Sequence, residues 1–308
     1  MIRALAILDP GPRATVQDAG RTAARRMGAP VSGVADAPLW RLTQAVAGGP
    51  DGAACVEFTL KGPRIRAEGG ALRVALGGAE GRITGPEGEA PLPALRSATL
   101  APGQTLTVGP TAGGAAGYLC VQGGLDVPMV IGARATDLRA GFGGWKGRAL
   151  QAGDVIPVAG PPPGGPEQTA DPLPRATGPF RVILGPQQDH FTEDAVAAFL
   201  SAEWRVGSEV DRMGARLEGP RLDHSALGPD IASEGLTIGA IQVPGGGQPI
   251  LLGVESHTIG GYAKIACVIG ADIPRIGQLV PGARLRFAAV TADQALAARR
   301  AAAAALAR

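Results

Sequence analysis

LVPGARLRF (residues 279–287) reads as a turn feeding a strand: Leu, two residues, Gly, two residues, an aliphatic, one residue, then another apolar residue. The same arrangement stands at LAPGQTLTV (100–108) and LQAGDVIPV (150–158). A second echo joins LKGPRI (60–65) to LEGPRL (217–222), where Gly-Pro would break the chain direction between strand residues. Matching punctuation in both halves points to a duplicated β unit. Elsewhere the apolar period is mostly two, in ALRVALGG, QTLTVG, GYLCVQGG, FRVILG, GAIQVP and ARLRFAAV. Closing each half into a barrel would remove the edges that so many short strands otherwise leave open.

Helical patterns are few. PLWRLTQAVAGG (38–49) and FTEDAVAAFLSAEW (191–204) are the best, the second with Thr192 as N-cap before Glu193 and Asp194. The stretch 159–179, AGPPPGGPEQTADPLPRATGP, is too rich in Pro and Gly for a helix or a central strand, so it reads as a linker or a long surface excursion. The expected order is a β domain over 1–158, a linker over 159–179, a second β domain over 180–290, and a surface helix over the alanine-rich tail 291–308.

Composition narrows the class. With 308 residues, 45% hydrophobic and 18% charged, the chain is long enough for two folded domains and too apolar for disorder. The formal charge of +2 and the lack of a lysine-arginine block exclude a nucleic-acid partner. Cys55, Cys120 and Cys267 are odd in number, far apart and flanked by apolar residues, which fits buried thiols in a reducing compartment. The opening apolar run ends at Asp9-Pro10, too soon for a signal peptide, and no apolar stretch would span a bilayer. A cytoplasmic protein is expected.

Four stretches could carry chemistry. ATVQDAGRTAARRMGAPVSGVAD (14–36) sets Arg21, Ser32 and Asp36 among glycines; it is either a solvated connection or a loop whose N–H groups face a ligand. GFGGWKGRALQAGD (141–154) combines Gly143-Gly144 with Lys146 and Arg148 and could hold a carboxylate or phosphate. It matches neither a Walker loop nor a dinucleotide fingerprint. In SEVDRMGARLEGP (208–220), Asp211, Arg212 and Arg216 either pair internally or offer a guanidinium fork to a substrate carboxylate. The run SEGLTIGAIQVPGGGQPILLGVESHTIGGYAK (233–264) contains Glu234, Gln242, Glu255, His257, Gly260, Gly261, Tyr262 and Lys264. Glu255 and His257 stand two apart, so on a strand they would face one side and place an acid beside an imidazole for proton transfer. Lys264 could neutralise anionic charge. No histidine completes a metal-binding spacing, so no metal site is expected.

PGPRATVQDAGR, PVSGVAD, GGWKGRALQAGD, DRMGARLEGP, SEG, GAIQVPGGGQPILL, TIGGYAKIACVI and IPRIGQLVPG occur in this order. Together they resemble the biotin-dependent carboxyltransferase family, which includes the 5-oxoprolinase C-subunit, KipA and the protein once labelled allophanate hydrolase subunit 2. The resemblance runs from about residue 1 to 288. It implies two cyclophilin-like β-barrels and a partner of the KipI or 5-oxoprolinase B-subunit type, with the A-subunit as a third component. It further implies one of three roles: ATP-dependent opening of 5-oxoproline to L-glutamate, carboxyl transfer from carboxybiotin to a urea-like amide, or a non-catalytic regulatory role like that of KipA. There is no AMKM-type attachment segment, so biotin would arrive on another chain. Glu255 and His257, from their spacing, and Lys264, which the family keeps, are the expected catalytic groups. Arg21, Ser32, Asp36, Arg148, Asp211, Arg212, Glu234, Gln242, Gly260, Gly261 and Tyr262 are the expected substrate-binding ones. The chain departs from the family at Glu255-Ser256-His257-Thr258, where DRQT is frequent, and at Gln44 and Gly49, where asparagines are usual.

Overall fold

The three Leu-x-x-Gly stretches share one backbone geometry. Gly103, Gly153 and Gly282 all sit in the left-handed region, at φ 87°, 92° and 80°. Each turn closes with an N–H donated back across it, Gln104 to Ala101 (3.0 Å), Asp154 to Gln151 (3.2 Å) and Ala283 to Val280 (3.1 Å). The glycine N–H then donates to a neighbouring strand, at the carbonyls of Ala67, Ile7 and Val206 respectively, each at 2.8 Å. Those three residues donate back to the carbonyls of Gln104, Asp154 and Ala283. Two residues therefore oppose one, a bulge that needs a residue tolerant of positive φ and bends the strand that follows. The strands Thr105–Thr111, Val155–Pro157 and Arg284–Leu285 leave these bulges antiparallel to Arg64–Glu68, Ala4–Asp9 and Trp204–Asp211.

The computed structural model describes residues 2–306. They divide into two compact units, residues 2–24 with Val31–Leu173, and Arg25–Pro30 with residues 174–306. The protein is mostly β.

In the first unit a six-stranded sheet runs, in spatial order, through Val155–Pro157, Ala4–Asp9, Arg64–Glu68, Thr105–Thr111, Ala79–Gly85 and Gly88–Leu92. A five-stranded sheet runs through Ala14–Gln17, Cys55–Thr59, Ala116–Val121, Leu72–Gly77 and Ser97–Leu100. Leu5, Ile7, Ile65 and Leu106 from the first sheet and Val56, Phe58, Leu76 and Leu119 from the second fill one core. Alternation sends Cys55, Tyr118 and Cys120 to the opposite face, where Trp40 and Val46 of the helix Ala37–Ala47 cover them. That helix is capped by Asp36, whose carboxylate accepts from Leu39 N, and it ends at left-handed Gly48.

In the second unit eight strands follow the order Arg284–Leu285, Trp204–Asp211, Gly214–Glu218, Ile250–Leu252, Ala240–Gln242, Lys264–Val268, Phe180–Leu184, Phe287–Ala289. The two edge strands are separated in the chain by Arg286 alone, so the sheet closes nearly into a barrel. Closure is completed by the parallel pairing of Phe180 with Phe287. The helix Glu193–Ser201, capped by Thr192 Oγ1 on Ala195 N, places Phe199 against Trp204 and stacks it on Phe287 with ring centroids 4.5 Å apart. A two-stranded ribbon, Asp230–Gly235 with Ile259–Tyr262, stands apart from the barrel sheet.

The Gly-Pro echo holds at its glycine and not beyond. A Cβ on Gly62 would lie 2.3 Å from Val108 Cγ1, and one on Gly219 would lie 2.5 Å from Trp204 Cε3, so both positions need glycine for close packing. A strand follows the first, at Arg64–Glu68, but after Gly219-Pro220 the chain leaves the sheet.

The proline-rich stretch is also not a free tether. Its residues as far as Leu173 pack with the first unit, so that unit extends past the boundary at 158. The tail forms the helix Ala292–Leu306 with no buried side chain; residues 307–308 lie outside the described residues. Cys55 and Cys120 are buried and Cys267 partly so, all as free thiols. Among the described residues no helix is long and apolar enough to cross a membrane.

Candidate functional site

The fourth stretch builds a polar cluster at the ribbon. The register pairs Glu234 with Gly260 and Asp230 with Tyr262, and Lys264 opens the next strand beside Gln242. Lys264 is almost entirely buried, and its Nζ lies 2.5 Å from Glu234 Oε1. Gln187 Nε2 donates to the same oxygen at 2.9 Å, and Gln187 Oε1 accepts from Lys264 N at 3.3 Å. Gln242 Nε2 donates to Tyr262 O at 3.5 Å. Gly260 is required: a Cβ there would lie 2.7 Å from Leu236 Cδ1 and 2.8 Å from Gln242 Nε2. Lys264, and behind it Gln187, lower the pKa of the Glu234 carboxyl, which therefore stays ionised at neutral pH. The result is a buried ammonium whose counter-ion is half exposed. A ligand oxyanion of similar size could replace the Glu234 carboxylate there.

The third stretch forms a tight hairpin in which Asp211 pairs with Gly214. Asp211 Oδ1 accepts from Met213 N (2.7 Å) and Gly214 N (3.3 Å), so this acid holds the turn. Arg212, at the tip, is buried, and its Nε donates to Glu255 Oε1 at 2.6 Å. Arg216 pairs instead with Glu209 on the surface, at 2.6 Å. Of the two alternatives for this stretch the structure shows internal pairing, with Arg212 on Glu255, Arg216 on Glu209 and Asp211 on the hairpin amides. The tip is zipped to the next segment by Glu255 N to Arg212 O (2.9 Å) and Gly253 N to Met213 O (2.8 Å).

That zipping also overturns the strand geometry expected for Glu255 and His257. Residues 254–258 lie in a turn and an irregular segment, so alternation does not align the two side chains. Glu255 turns its carboxylate into Arg212, and His257 is exposed.

In the first unit Arg21, Asp36 and Arg148 each have a clear local role. Arg21 is buried, donates through Nη2 to Ala135 O, and lies 4.7 Å from the centroid of the Phe142 ring. Ser32 is buried at φ 51°, and Asp36 caps the helix Ala37–Ala47 while its own N–H donates to the Tyr118 hydroxyl at 2.8 Å. Arg148 forks onto Asp154 with two contacts of 2.8 Å. Its donors are therefore directed at an internal acid and not at a ligand. The same pairing brings the Asp154 carboxyl down to about 2. Gly143 and Gly144 do allow a close approach, but to the protein's own backbone and side chain. Cβ atoms there would lie 2.1 Å from Ala135 O and 1.9 Å from Thr136 Oγ1.

The structure thus gathers Glu234, Gln242, Gly260, Gly261, Tyr262 and Lys264 into one cluster, and Arg212, Glu255 and Asp211 into another. Sequence reasoning missed Gln187, one of two adjacent glutamines in PQQDH with no spacing to mark it. A groove of about 700 Å³ beside it is lined by Pro186, Gln188, Asp189, Phe191, Glu193 and Val196, among others. With Asp189 and Glu193 in its wall, it is not the basic cleft expected for an anion.

Comparison with known proteins agrees with these motifs. The family model "Carboxyltransferase domain, subdomain A and B" matches residues 27–289. The 5-oxoprolinase C-subunit of Escherichia coli is 34% identical over 296 residues, covering 96% of this chain and 94% of that protein. Urea amidolyase of Lachancea kluyveri is 30% identical over 94% of this chain, which spans only 17% of that much longer protein. Among solved structures, the Kluyveromyces lactis urea carboxylase superposes with a TM-score of 0.90 at 27% identity, covering 98% of this chain and 29% of its own. The chain belongs to the family defined by carboxyltransferase subdomains A and B.

Proposed function

We propose that this protein is one component of an ATP-dependent 5-oxoprolinase-type complex, converting 5-oxo-L-proline, ATP and water to L-glutamate, ADP and phosphate. It would act with a partner of the KipI or B-subunit type and with an A-subunit. The observation that carries this reading is the end-to-end similarity to the 5-oxoprolinase C-subunit, which covers nearly the full length of both chains. Within it, Lys264 is the charge that would steady a phosphoryl or developing oxyanion, taking the ligand oxygen in place of Glu234. His257 is the exposed imidazole that would move a proton. Arg212 and Arg148 are less suited to the substrate carboxylate, since Glu255 holds the Nε of the first and Asp154 takes both prongs of the second.

We place the nucleotide on the partner chain as part of this proposal. Among the described residues, each helix of eight or more residues begins with acid, Asp36 as cap, then Glu193 with Asp194, and Asp293, and an acidic start repels a polyphosphate. When bound, ATP supplies the activation of the amide oxygen.

A second reading, favoured by the likeness to urea carboxylase, is carboxyl transfer from carboxybiotin carried on another chain, with Lys264 facing the carboxylate. Reconstitution with the partner chains decides between them. Lys264→Met should abolish 5-oxoproline-dependent ATP hydrolysis in the assembled complex, and unchanged turnover would remove Lys264 from the reaction. Turnover that avidin blocks would favour carboxyl transfer.

A further inference from the structure

Every strand arginine of the second unit's barrel is matched to an acid: Arg181 to Asp272, Arg205 to Glu218, Arg216 to Glu209 and Arg284 to Glu203. Arg25 is not. Residues Arg25–Pro30 pack with this unit, and Arg25 is half-buried. One prong of its guanidinium, Nη2, donates to Leu236 O. The other, Nη1, is shut off from solvent and has no hydrogen-bond partner among the described residues. No carboxylate among them pairs with it, and burial pulls its pKa down from the ordinary value. A buried charged donor left unsatisfied is costly, and a ligand that completes it recovers that cost.

The place is next to the ribbon cluster. Leu236 N donates to Thr258 O at 2.8 Å, so Arg25 meets the ribbon where the irregular segment bearing His257 joins it. In the other direction Leu236 stands two residues from Glu234, the counter-ion of Lys264. At about 3.3 Å per extended residue, those two anchor points are about 7 Å apart. A small molecule with a carboxylate at one end and an amide carbonyl at the other, and a hydrogen bond of about 3 Å at each, spans that distance.

We propose that Arg25 binds the substrate carboxylate, its free prong taking one oxygen while Lys264 faces the amide end. The inference rests on the reading of the ribbon cluster as the ligand site. It names the guanidinium that Arg212 and Arg148, already paired with acids, do not supply. The planar fork suits a carboxylate, whereas a neutral group in its place leaves the charge on Nη1 uncompensated.

Equilibrium dialysis of labelled 5-oxo-L-proline against the complex of this chain with its partner chains tests this. It is run with a non-hydrolysable ATP analogue present and the neutral 5-oxo-L-prolinamide as competitor. The parent should prefer the acid to the amide roughly 10- to 100-fold. Arg25→Met should erase that preference while leaving the amide bound as before, and Lys264→Met should keep it. In turnover, Arg25→Met should raise KM for 5-oxoproline with kcat nearly unchanged. Should the Met variant fail to fold, Arg25→Gln, which keeps a donor for Leu236 O, should show the same loss. A preference that survives both Arg25 variants overturns the proposal. A complex that binds the acid through Arg25 yet hydrolyses no ATP on it refutes the 5-oxoprolinase reading alone. One that turns over 5-oxoproline without preferring the acid overturns the role of Arg25 alone, and acid that does not bind at all overturns both.

Discussion

Removing both members of the Arg212–Glu255 pair should destabilise the second unit by clearly less than the sum of the two single effects. The side chains are 5% and 9% exposed, and the Nε to Oε1 distance is 2.6 Å. At an effective dielectric constant of about 20, unit charges some 4 Å apart attract by about 4 kcal/mol. A single substitution forfeits that attraction and strands the remaining charge in a dry site, so Arg212→Met and Glu255→Gln should each cost about 3–5 kcal/mol. The backbone zipping of Glu255 N to Arg212 O is untouched by either change. The double variant therefore keeps the backbone bonds of the hairpin tip and removes both charges that had to be desolvated. It should be at least about 2 kcal/mol more stable than the sum of the single effects implies. Urea-dependent hydrogen exchange read by mass spectrometry resolves the strands Trp204–Asp211 and Gly214–Glu218 from those of the first unit. Single costs below about 1 kcal/mol, or additivity within about 0.5 kcal/mol, would refute the reasoning.

Two further outcomes follow from the first unit. The Asp154 carboxyl titrates at about 2 when folded because Arg148 forks onto it, against about 3.9 in an unfolded chain. The depressed value stabilises the fold above the unfolded pKa by about 2 kcal/mol. That contribution fades as pH falls from about 4 towards 2, so Asp154→Asn should weaken the protein at pH 7 and match the parent in acid denaturation below pH 2. For the bulges, Gly103→Ala and Gly153→Ala meet no atom within 4 Å, so only the left-handed backbone opposes them. Each should cost about 1–2 kcal/mol by chemical denaturation, with near-equal values; a large inequality would break the equivalence of the two turns.

The fold was largely legible because its signals are local. A Leu-x-x-Gly turn needs a left-handed residue at one position, and glycine announces it three times. Thr192 marked one helix because capping is set within four residues. The site was legible in residue type and much less in role. Asp211 lies beside Arg212 and near Arg216 in sequence, yet the hairpin turns Asp211 inward to its own amides and Arg216 outward to Glu209. Glu255 and His257 obeyed a period-two expectation only as long as the segment was a strand, and Gly253 ends it. A Cβ at Gly253 would lie 2.5 Å from Arg212 O, a close approach no pattern in one segment can show. Gln187 escaped for the same reason, reaching Glu234 across 47 residues.

The parallel seating of Phe180 beside Phe287 means that the polypeptide arrives at and departs from the closed sheet at neighbouring points. Such a module behaves as a plug-in cassette. It can be spliced into a longer polypeptide through two short connectors without stretching its interior, and circular permutation that joins the two ends should leave its strand order intact.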